Sequence, residues 1–145
     1  MKRISETEYQ AMAELRYRIR LFLRESDAAA RSAGLEPQQY LLLLCIRGIP
    51  DDDSTKIRSL ADSLLIKHHS AVGMVNRLEQ QGMVRRERAG ADRRKVAVRL
   101  TERGARVFAK LASVHMRELR RIAPDLERFF GYFARGVNRK RRARS

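Results

Sequence analysis

The chain of 145 residues has the length of one ordinary domain, and its 32 basic against 17 acidic residues give a net charge of +15 and an isoelectric point near 11.2. A polyanion, nucleic acid before an anionic membrane surface, is the partner to expect. One cysteine excludes an internal disulfide, and no apolar run approaches the ~20 residues of a membrane span, so a soluble cytoplasmic protein without a membrane partner is expected.

The charge is unevenly spread: residues 1–56 hold nine basic and nine acidic side chains, and residues 57–145 hold 23 and 8. From Glu6 to about Ser32, Met12, Leu15, Ile19, Phe22 and Leu23 recur at three- and four-residue intervals, which predicts one amphipathic helix. Ser5 with Glu8 supplies its N-terminal cap and Gly34 its stop. At ~1.5 Å per residue such a helix is roughly 40 Å long, more than so small a core needs, and part of its apolar face is expected to meet a partner subunit. Pro37 opens a second helix to Arg47, whose centre (Leu41, Leu42, Leu43, Leu44, Ile46) is apolar nearly all round and therefore expected to be buried. Gly48, Pro50 and the acidic run Asp51-Asp52-Asp53 form a loop, after which residues 54–56 have room only for a brief strand.

Two short helices follow. Ile57, Leu60, Ala61 and Leu64 fall at i, i+3, i+4 and i+7, a core-facing stripe that leaves Arg58 and Asp62 in solvent. The next helix runs from about His68 to Gln81 with Ala71, Val72, Val75 and Leu78 inward and Gly82 as its stop. Advancing ~100° per residue puts His69, Ser70, Gly73, Asn76, Arg77 and Gln80 on the opposite face, which carries no large apolar residue. A recognition helix enters the major groove with its N-terminal part foremost, so His69, Ser70 and Gly73 would approach base edges and Asn76, Arg77 and Gln80 the backbone. Lys67, beside the helix N-terminus, completes a phosphate site. Residues 84–88 and 95–100 then read as two strands, the second with Val96, Val98 and Leu100 inward. Between them Ala89-Gly90-Ala91-Asp92-Arg93-Arg94 makes a hairpin tip from which Arg94 can enter the minor groove and Arg93 can meet phosphate. Asp92, repelled by DNA, would orient a neighbouring guanidinium, that of Arg94 or Arg77.

Thr101 can cap a long helix beginning at Glu102, with Val107, Phe108, Leu111, Val114, Leu119 and Ile122 as its apolar side. Ala123-Pro124-Asp125 is expected to break it, and residues 126–137 to form a last amphipathic helix with Phe129, Phe130 and Phe133. The basic tail, 138–145, would be irregular and drawn to DNA.

The stretch NRLEQQGMVRRERAGADRRKVAVRLTERG resembles the multiple-antibiotic-resistance regulator (MarR) family. Its wing pattern, an aspartate and an arginine two residues apart followed by alternating valines and Leu-Thr, matches Asp92, Arg94, Val96, Val98, Leu100 and Thr101, and the likeness covers about residues 8–133. It implies a mainly α fold with a small β-hairpin wing: a winged helix-turn-helix at 37–101 flanked by dimerisation helices at 6–34 and 102–137, all in one domain. It further implies a homodimer on a pseudo-palindromic operator in double-stranded DNA, a repressor released by a small aromatic ligand or by thiol oxidation, at work on the nucleoid. Tyr17, Tyr40, Leu44 and His115 lie on helices that this family packs beside a ligand cavity. Two departures are visible. Lys67-His68-His69 stands where Ser or Thr is common, so the base sequence read does not carry over. The first helix also lacks the reactive cysteine of the family's oxidation sensors.

The remaining candidates are weaker. Cys45 sits in the most apolar helix, where a thiol packs as a small hydrophobe. His68 and His69 point about 100° apart with no ligand at metal spacing, so neither metal nor cofactor is expected. No phosphate loop, dinucleotide turn or nucleophile elbow suggests an enzyme. The alternative of another class is a sequence-independent nucleic-acid packing or ribosome-associated protein, against which stand the wing and the neutral N-terminal third.

Overall fold

The computed structural model describes residues 3–48, 56–88 and 95–142, the side chains of 136–142 excepted. The elements run α1 (Glu6–Ser32), α2 (Pro37–Gly48), α3 (Ile57–Leu64), α4 (His68–Gln80), β1 (Val84–Arg88), β2 (Val96–Leu100) and α5 (Glu102–Arg142). They divide into two compact units, Met1–Ala28 with Val114–Ser145, and Ala29–Ser113. The boundaries fall inside α1 and α5, so the last turn of α1 and the first turns of α5 belong with the middle of the chain. No helix among the described residues is long and apolar enough to cross a membrane.

Helix α1 starts where its capping pair is. The Ser5 N–H donates to Glu8 Oε2 at 2.8 Å and the Glu8 N–H to Ser5 Oγ at 3.3 Å, so two groups without helical partners satisfy each other. It ends at Gly34, whose φ of 77° lets the Leu35 N–H return to the Ala30 carbonyl at 3.0 Å. In the outer unit Phe22 packs on His115 at 4.9 Å between ring centroids, Arg18 reaches Asp125 at 3.5 Å, and Ile122 and Phe129 are buried. Much of the α1 stripe stays uncovered, with Met12, Ile19 and Leu23 at 37%, 38% and 47% exposure and Phe130 of α5 at 60%.

The middle unit has one core built from Leu35, Leu42, Leu43, Leu60, Val75, Leu78, Val84, Val98, Phe108 and Leu111. Helix α2 buries Tyr40, Leu42, Leu43 and Ile46 but leaves Leu44 37% exposed, so it is covered on one side and not all round. Leu60 and Ala61 are the buried centre of α3, and Ala71, Val75 and Leu78 that of α4. The two are joined by a three-residue turn in which Leu65 takes φ 55° and bonds its N–H to Asp62 at 3.1 Å. A branched side chain in this left-handed region costs roughly 1–2 kcal/mol, and Leu65, 93% exposed, recovers nothing by packing. Leu65→Gly is therefore expected to raise stability by about 1 kcal/mol, read as a higher thermal midpoint. A lowered midpoint would contradict it.

Strands β1 and β2 pair antiparallel with Val84 opposite Leu100, Arg86 opposite Val98 and Arg88 opposite Val96. The face expected inward is inward only near its base, where Val84 and Val98 are buried, while Val96 at the outer end is 40% exposed. On the other face Ala97 is 2% exposed. By the register Ala97 shares that face with Glu87, Arg85 and Arg99, where Glu87 pairs with Arg99 at 3.1 Å and with Arg85 at 3.0 Å.

The expected break at Pro124 does not occur, and α5 runs through it to Arg142. A proline inside a helix removes one bond and crowds the carbonyl four residues back. Here that carbonyl belongs to Arg120, an exposed residue that water can serve. The apolar series Leu119, Ile122, Leu126, Phe129 and Phe133 keeps its phase across the proline, so a continuous helix buries more than two separate ones would. The first residues of the expected irregular tail are thus helical.

Candidate nucleic-acid interface

The site is built on α4. With Ala71, Val75 and Leu78 buried, helical geometry puts His69, Gly73 and Gln80 at the centre of the outward face and Asn76, Arg77 and Ser70 along its rims. His69, Ser70, Asn76, Arg77 and Gln80 are all exposed, and Gly73 is half-buried. A Cβ on Gly73 would meet nothing within 4 Å, so the fold itself does not ask for glycine there. Lys67 caps the helix by backbone alone, with no side-chain bond, leaving the first amides of α4 and the exposed Lys67 ammonium at one end. That end is where an anion is favoured.

The wing base has its own order. Arg86 on β1 donates through Nη1 to Glu79 Oε2 in a short contact and through Nη2 to Asn76 Oδ1 at 2.6 Å, and its N–H reaches Glu79 Oε1 at 3.4 Å. The sequence reading missed Arg86 and Glu79. Asn76 and Glu79 stand three apart on one helix side, the only acid of α4 among them, and that pair facing an arginine-rich strand was the available signal. Asp92, Arg93 and Arg94, expected to form the wing tip, lie outside the described residues.

The expected ligand residues are divided. Tyr17, 57% exposed, and His115, packed on Phe22, belong to the outer unit; Tyr40 and Leu44 belong to the middle one. Tyr40 is a core residue, 3% exposed and stacked on Phe108 at 6.0 Å. Burial pushes its phenol up and holds the His115 imidazole below its ordinary value. The half-buried Cys45 thiol is likewise pushed up by burial, which suits packing against the core.

Two helices joined by a tight turn, the second with a polar outward face, followed by a two-stranded hairpin, define a winged helix-turn-helix. The MarR family model matches residues 33–95. The winged helix-turn-helix region of the chain is thus similar to that family. It is 30% identical over 76 residues to the organic hydroperoxide resistance transcriptional regulator of Bacillus subtilis (strain 168), a match covering 52% of this chain and 50% of that protein. The chain thus matches about half the length of that curated relative. Among solved structures, AbsC, a MarR family transcriptional regulator from Streptomyces coelicolor, has a similar fold at TM-score 0.67 and 24% identity, over 87% of this chain and 84% of AbsC. So has a mutant of S. aureus MepR bound to an oligodeoxyribonucleotide, at TM-score 0.65 and 13% identity over 88% and 95%.

Proposed function

We propose that the chain works as a homodimeric transcription regulator, a repressor that holds a pseudo-palindromic operator in double-stranded DNA through α4 and the wing. The observation that carries this is the outward face of α4: the exposed side chains of His69, Ser70, Arg77 and Gln80 have no intramolecular partner among the described residues, and no acid stands among them. Such side chains, beside a helix N-terminus and Lys67, suit base edges and phosphates. Dimerisation is supported by the uncovered apolar stripe of α1 and by Phe130, which a second copy would bury. Release by a small aromatic ligand rests on the family resemblance alone.

The test is genomic selection of bound DNA, then footprinting on the recovered site. Two equivalent half-sites roughly 10 base pairs apart are expected, with a preference for that site over bulk DNA of at least ~10³. A footprint without two-fold character would sink the dimeric reading, and a preference near one would favour a packing protein. Adding small aromatic acids to the complex tests release; if none lowers occupancy, that part falls.

A further inference from the structure

We propose that Arg86 is a positioning residue that holds Asn76 in a donor-only state, so that Asn76 grips a phosphate oxygen and reads no base. The inference rests on α4 being the DNA-facing helix. A guanidinium carries only N–H donors, and the Arg86 Nη2 atom lies 2.6 Å from the Asn76 amide. The amide must therefore turn its oxygen to Arg86, and chemistry fixes the orientation. The other arm of Arg86 and its backbone N–H both go to Glu79, and the arginine side chain is only 28% exposed. Its charge is compensated locally, so it acts through its neighbours.

What remains on Asn76 is the Nδ2 amide, which has no partner among the described residues. Asparagine reads adenine with one acceptor and one donor together, against N6 and N7. With Oδ1 taken, that bidentate reading is closed. The residue also sits on the rim of the outward face, on the side of Glu79 and β1, while His69, Gly73 and Gln80 hold the centre. A rim donor meets the groove wall, which is phosphate. Two N–H groups held rigidly there lose little ordering entropy on binding.

The experiment uses the full chain, its selected operator and single-base variants of that operator, with affinity by anisotropy and stability by thermal midpoint. Asn76→Asp keeps the acceptor for Arg86 but has no donor. Its midpoint should not fall, and its affinity should drop about tenfold by the same factor on every operator variant. Asn76→Ala should give a smaller, equally uniform loss. Arg86→Lys keeps a charge for Glu79 without the second arm; it should weaken binding in the wild-type background and leave affinity unchanged on top of Asn76→Ala. A changed preference at one base pair in Asn76→Ala would overturn the inference, and so would an equal Arg86→Lys loss in both backgrounds. Absence of any wild-type complex would remove the DNA-facing reading of α4, and this inference with it.

Discussion

Gly104→Ala is expected to cost the protein about 3 kcal/mol or more, roughly a 10 °C fall in thermal midpoint, while Gly48→Ala leaves it within about 0.5 kcal/mol. A Cβ on Gly104 would stand 1.9 Å from the Met83 carbonyl oxygen and 2.8 Å from its carbonyl carbon, so backbone has to move; at Gly48 nothing lies within 4 Å. The crowding is there because two hydrogen bonds from Thr101 draw the start of α5 onto the chain that leaves α4, and one further bond orders each side. Thr101 caps α5 by accepting from the Gly104 N–H at 3.0 Å, gives its hydroxyl proton to the Gly82 carbonyl at 2.5 Å, and sends its own N–H to the Met83 carbonyl at 3.0 Å. The Met83 N–H in turn returns to Leu78 at 2.9 Å, across Gly82 with φ 69°. Displacing Met83 therefore disturbs the helix that carries the candidate site and the cap of the helix that leaves it. Differential scanning fluorimetry of both variants decides. A Gly104→Ala protein as stable as Gly48→Ala would mean that the junction relaxes freely.

The sequence made this junction half legible. Thr101 as a cap and Gly82 as a stop follow from residue type, because capping and left-handed backbone are local chemistry. Gly104 does not, since a glycine inside a helix pattern reads only as a cost until the chain that returns against it is known. The same division runs through the site. The outward face of α4 followed from periodicity alone, and of its expected buried counterpart Ala71, Val75 and Leu78 are buried while Val72 is half-buried. Arg86 was invisible because its partners sit seven and ten residues back across a turn, where only the folded hairpin brings them together. Pro124 misled for the opposite reason: a strong local signal was overridden by an apolar phase that runs on through it. Leu65 gave no warning, standing where glycine or asparagine would have marked the left-handed turn.

Raising salt from 50 to 200 mM is expected to weaken operator binding by about 10³, a slope near −5 on a log–log plot. The net charge of +15 suggests far more, but little of that excess is placed where DNA would lie: residues 67–88 hold five basic and two acidic side chains. Arg86 is paired with Glu79, and Arg85 and Arg99 share Glu87. Among the described residues of α4 and its flanks, Lys67, Arg77 and Arg88 carry no ion-pair partner, three per reader and so six in a dimer. Each phosphate neutralised contributes about −0.9 to the slope, which sets the expected value. Arg93 and Arg94, if they reach DNA, would steepen it by up to four such contacts. Anisotropy of labelled operator across that salt range, repeated with Lys67→Gln and Arg77→Gln, measures it; each substitution should shallow the slope by about two in the dimer. A slope near zero would take α4 off the phosphates. One beyond about −15 would move the main contact from the winged helix to the arginine-rich stretches of α5, and binding should then lose its preference for the operator.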